Sequence, residues 1–90
     1  MPECYVKDVQ KILDEINTTL IKNNEKAIKR ADWHTKLSLL TPNTILPHWV
    51  NECFRKKPFN ALNAAKVETA IREHLKALGM SRDVNIVCID

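Results

Sequence analysis

Residues 41–59, TPNTILPHWVNECFRKKPF, decide how the chain is read. They hold three of its four prolines, a tryptophan, both phenylalanines, a histidine, a cysteine and a run of three basic residues. Proline suits the first turn of a helix, where its missing N–H is not needed, and it pushes the residue before it out of the α region. Either Thr44 caps a short helix or Pro47 itself starts it, with Leu46 extended. Pro58 ends it through Lys57. Leu46, Trp49, Val50, Cys53 and Phe54 then face one way, and His48, Asn51, Glu52, Arg55 and Lys56 the other. The inner side is structural, and the outer end is a candidate contact surface.

On the N-terminal side, Val6, Val9, Leu13, Ile16 and Leu20 recur at helical spacing, with Ile12 widening the stripe. This pattern predicts an amphipathic helix over 6–21. Asn23 and Asn24 are poor helix formers, but Ala27, Ile28 and Ala31 can carry the buried face on to about residue 30. Asp32 can cap a second short helix with Trp33, Leu37 and Leu40 on one side, although KLSLL also reads as a strand. Thr41-Pro42-Asn43-Thr44 is a break.

On the C-terminal side, Asn60 or Asn63 caps the clearest helix. Ala64, Val67, Ile71, Leu75 and Leu78 form its apolar stripe, and Gly79 supplies the left-handed exit. The tail DVNIVCID changes character: Val84, Ile86, Val87, Cys88 and Ile89 are β-formers without a helical period. A lone strand leaves backbone groups unpaired. Its candidate partners are CYV near the N-terminus, KLSLL, or the same strand of a second copy. The expected fold is mainly α: one domain over 1–90, three or four helices, and a short C-terminal strand that needs a pairing partner.

Composition narrows the function classes. The chain is 44% hydrophobic and 28% charged, with one glycine, which excludes a glycine-rich phosphate loop. No apolar run is long enough to span a membrane, and no leader pattern stands at the N-terminus. Three widely spaced cysteines without such a leader read as free thiols in a reducing, cytoplasmic setting; a Cys4–Cys88 bridge is the alternative under oxidising conditions. His34, His48 and His74 lack zinc-ligand spacing with Cys53. No nucleophile or metalloprotease motif is present. The expectation is a non-enzymatic protein with no cofactor and no metal.

Charge gives the functional lead. Residues 22–57 carry eight Lys or Arg against three acids, while the rest of the chain carries six against eight. Lys22, Lys26, Lys29 and Arg30 fall along one face if the first helix continues, and Trp33 reads as a half-exposed anchor beside Lys36. Arg55, Lys56 and Lys57 gather at a helix C-terminus, a position that the macrodipole alone also explains. With His48 and Asn51, these residues make the candidate surface for an acidic protein partner. A nucleic acid is the alternative, read by a helix-turn-helix of residues 32–40 and 45–56. Residues 84–89 are the candidate seam of a homodimer. The function expected is regulation or inhibition of a macromolecular partner by covering its surface.

Overall fold

Glu3–Val6 forms a strand, β1, around which a small antiparallel sheet is built. The structure, a computed structural model, describes residues 2–89. Four helices follow that strand along the chain: α1 (Val9–Lys22), α2 (Trp33–Leu40, entered through a 3-10 turn at Arg30–Asp32), α3 (Pro47–Phe54) and α4 (Ala61–Ala77). Two further strands flank it, β2 (Phe59–Asn60) and β3 (Ile86–Ile89), in the order β2-β1-β3. The chain is mainly helical with some β, as its patterning predicts. The tail finds a partner inside the chain, in CYV.

The register of that pairing carries consequences. Glu3 faces Ile89, Cys4 faces Cys88, Tyr5 faces Val87 and Val6 faces Ile86. Lys7 N–H donates to Asn85 C=O at 2.8 Å, which sets the alternation. Tyr5–Val87 and Glu3–Ile89 are therefore hydrogen-bonded pairs, and Val6–Ile86 and Cys4–Cys88 are the closer, non-hydrogen-bonded ones. At the last pair the Cα atoms are 4.0 Å apart and the two sulfurs are joined in a disulfide. This corrects the expectation of three free thiols and weighs against a reducing setting. Only Cys53 keeps its thiol, buried in the core. Val6 turns its N–H to the other side of β1, past the end of β2, and donates it to Cys53 Sγ at 3.4 Å. A sulfur thus takes the place of the strand that is missing there.

Three of the four helices stop where a residue adopts the left-handed conformation. Asn24 (φ 60°), Lys56 (φ 57°) and Gly79 (φ 68°) follow α1, α3 and α4. Each donates its N–H to the carbonyl three residues back (Ile21, Cys53 and Lys76), and the next N–H reaches five back (Leu20, Glu52 and Leu75). These bonds satisfy carbonyls that a helix end leaves open. The first helix therefore ends at Lys22 rather than near residue 30, and Ala27 and Ala31 are exposed instead of buried. It also starts later than predicted, at Val9, because Val6 belongs to the strand. The break after Asn24 leaves a stretch of chain that Asn17 pins: its side chain exchanges two hydrogen bonds with the backbone of Ile28, at 2.8 and 3.0 Å.

Asp32 stands before α2 without capping it through its side chain, whereas the other two helix starts follow the sequence closely. Pro47 opens α3 behind an extended Leu46, and Asn60 caps α4 by accepting from Leu62 and Asn63 N–H. Leu46 itself is exposed, not on the inner side; Ile45 takes the buried place. KLSLL is helical, within α2.

One apolar cluster draws on all four helices and on Val6 and Val84. Trp49, Val50 and Cys53 are buried in it, and Phe54 packs on its edge. Trp33 is fully buried, which overturns its reading as a half-exposed anchor. Its indole N–H donates to His74 Nδ1 at 3.1 Å across 41 residues of sequence. Indole nitrogen only donates, so His74 must be neutral, with its proton on Nε2. That atom is buried and has no hydrogen-bond partner among the described residues. Burial, and then the charge of Lys36, lower the His74 pKa from 6.5 to about 4.

Two predictions follow from this architecture. An unfolded chain takes up a His74 proton near pH 6.5 and the folded one only near pH 4, so stability falls as pH drops through that window. The full loss is on the order of 3 kcal/mol. Denaturant midpoints measured from pH 7 to pH 4 will drop more for the native chain than for His74→Gln, which keeps an acceptor for the indole and does not titrate. Reduction of the disulfide frees a loop whose ends are 84 residues apart. By chain entropy this costs roughly 4 to 5 kcal/mol, and urea unfolding with and without a reductant reads it directly.

Candidate binding surface

With the first helix ended at Lys22, its proposed basic face does not exist as one helical stripe. The residues are regrouped. Lys26, Ala27, Ile28 and Lys29 of the connecting chain and Asp32, Thr35, Lys36 and Leu39 of the 3-10 turn and α2 line a surface groove of about 560 Å³. Asn17 holds one wall through Ile28. The other wall is the outer side of α2, whose inner side is fixed by Trp33 and Leu37. Three ammonium groups and one carboxylate thus surround a small apolar floor. Among the described residues none of Lys26, Lys29 and Lys36 takes part in an ion pair. Leu39, at the groove's edge, is 77% exposed, the highest value among the large apolar side chains of the described residues.

Arg30 is different. Its guanidinium lies 4.1 Å from the centre of the Phe54 ring, a cation–π contact that ties the start of α2 to the end of α3. The same contact brings the two basic runs together, since Lys29 precedes Arg30 and Arg55 follows Phe54. Lys22 is exposed at the end of α1, outside the groove lining.

At the end of α3, Arg55, Lys56 and Lys57 are all exposed. Arg55 forms an ion pair with Glu52 at 3.6 Å, and Lys56 sits in the left-handed turn. A left-handed conformation is costly for a residue with a Cβ, on the order of 1 kcal/mol. His48 and Asn51 are exposed on the outer face of the same helix. The connection between α2 and α3 runs over residues 41–46, longer than a tight turn. It is stapled by Ser38, whose hydroxyl accepts from Ile45 N–H at 2.8 Å and donates to His34 C=O at 2.8 Å.

The described residues hold no group of three or more His, Cys, Asp or Glu placed to bind a metal. Among them no helix is long and apolar enough to cross a membrane. Cys53 reaches a smaller cavity of about 280 Å³ beside Asp8, Val9 and Phe54. Burial raises its pKa to about 11; the hydrogen bond from Val6 opposes this and Glu52 adds to it. At neutral pH it is a protonated thiol, a poor nucleophile.

Sequence reasoning missed the parts that make the groove a groove. Asn17 carried no signal, because its partner is the backbone of Ile28. Leu39 did carry one: it is a leucine off the Trp33–Leu37–Leu40 side, three residues after Lys36. No known protein family, curated protein or solved structure matches this chain.

The regrouping makes a measurable distinction among the basic residues. Replacing Arg30 with Ala will lower stability by roughly 0.5 to 1 kcal/mol through the lost ring contact. Lys29→Ala, with no such contact, will leave the denaturation midpoint where it is.

Proposed function

We propose that this chain is a small non-catalytic binding protein that regulates or inhibits an acidic protein partner by covering part of its surface. One observation supports this reading above the others: Lys26, Lys29 and Lys36, none of them in an ion pair among the described residues, share a groove with the exposed Leu39. Unpaired cations speed the approach of an acidic surface. An exposed leucine beside a shallow apolar floor supplies the contact that holds once the partner arrives. Arg55, Lys56 and Lys57 extend the attraction across the Arg30–Phe54 contact. The setting proposed is one that preserves the Cys4–Cys88 bond, in place of the reducing cytoplasm expected from sequence alone.

A nucleic acid is the second reading, because His48, Asn51 and Arg55 point outwards on α3. The ion pair of Arg55 with Glu52 and the half-buried Glu52 carboxylate on the same face count against it.

The two readings separate in one titration series. An acidic peptide carrying a single leucine anchor, and duplex and single-stranded nucleic acid, are each titrated from about 50 mM salt upwards. The expected result is peptide binding that weakens with salt and falls about tenfold or more in a Lys26→Glu, Lys29→Glu, Lys36→Glu variant and in Leu39→Asp. Tighter binding of the duplex with a steep salt slope transfers the function to nucleic acid. Absence of binding to every probe at the lowest salt removes the basic surface as a functional site.

A further inference from the structure

The two edges of the sheet are treated differently. The edge at β2 is blunted: the strand is two residues long, and Pro58 stands immediately before it. Short strands and prolines are the usual protections against unwanted pairing. The edge at β3 has neither. Ile86–Ile89 holds no charge, no proline and no glycine, and Cys88 and Ile89 are exposed, Ile89 by 54%.

The register fixes which backbone groups that edge presents. Asn85, Val87 and Ile89 bond towards β1, so Val84, Ile86 and Cys88 turn their N–H and C=O groups outwards. The Val84 carbonyl is taken by the Arg72 guanidinium at 2.6 Å. The groups of Ile86 and Cys88 form an open row beyond it. The disulfide locks this row to β1 in one register, so it is rigid before any partner arrives.

We propose that this edge pairs with the same edge of a second copy of the chain, antiparallel about a two-fold axis at Val87. Ile86 of one copy then lies opposite Cys88 of the other, and each such pair exchanges two hydrogen bonds. Charge favours this occupant. The chain carries net charge +3, and its cations are concentrated between residues 22 and 57, yet residues 84–89 carry none. Within the row itself a charged partner finds no counter-charge, and the Arg72 guanidinium at Val84 stands at one end of it, clear of the Ile86 and Cys88 groups that two copies would pair. Both bare edges are satisfied at once by the self-complementary arrangement of a two-fold interface. The proposal goes beyond the basic-groove function and does not depend on it.

The test is sedimentation of the purified, oxidised protein over roughly a hundredfold concentration range, with amide hydrogen exchange read at single residues. The expected result is a monomer–dimer equilibrium in which protection of the Ile86 and Cys88 amides rises with concentration. Ile86→Pro removes only an outward N–H and leaves the ladder to β1 intact, so it shifts the equilibrium to monomer. Ile89→Lys places a cation at the seam and does the same while keeping every strand residue's N–H; it decides the matter if the proline variant does not fold. A native chain that is monomeric throughout overturns the proposal. So does a dimer that persists in folded Ile89→Lys, or one in which those two amides exchange at the same rate at all concentrations.

Discussion

The strand Glu3–Val6 is the member on which the other elements close. It lies in the middle of the sheet, so it must satisfy backbone groups on both edges, and its side chains Cys4 and Val6 point into the core. β3 saturates one edge over the full length of the strand, and β2 covers only the beginning of the other. The remaining N–H, at Val6, is handed to a sulfur on α3. A strand of four residues thereby joins both ends of the sequence to the helix in its middle. Sheets this small are marginal on their own and need a packed face; here that face is α4 with the apolar cluster behind it.

Some of this was legible in the sequence and some was not, for reasons that particular residues show. The long helix α4 was legible because its stripe, its Asn60 cap and its Gly79 exit are all local signals. The tail was legible as a strand from its run of β-branched residues. Its partner was not, because pairing residue 4 with residue 88 is a matter of register between distant segments. Val6 was counted into the helix because it falls in phase with Val9 and Leu13, and a period alone cannot show that Asp8 breaks the helix before it. Asp8 does so by adopting φ 59°. Asn24 ends α1 in the manner of a glycine. Asparagine is among the few residues that take this conformation readily, so the signal was present but outweighed by the apolar residues beyond it.

The candidate surface repeats that lesson. Its cations were read from composition, yet their arrangement depends on where α1 stops. Once the helix ends at Lys22, Lys26 and Lys29 leave the helix surface and line the same groove as Lys36. Trp33 went the other way. Charged neighbours suggested exposure, but on a 3-10 turn leading into a helix those neighbours point outwards while the indole turns inwards to His74. Burial of a polar aromatic is decided by whether its N–H finds an acceptor. That acceptor lies on a helix 41 residues away, beyond the reach of any local pattern.

The sulfur–sulfur bond between β1 and β3 has a topological effect separate from its energy. It turns residues 4 to 88 into a closed covalent ring with every helix inside it. A single protease cut in a connecting segment, at Asn24 or Asn43 for example, opens the ring without releasing a piece. The nicked molecule keeps its mass apart from one added water, and both fragments stay tethered at the sheet. The segments best suited to presenting residues to a partner are thus also the ones that can be severed without dividing the molecule in two.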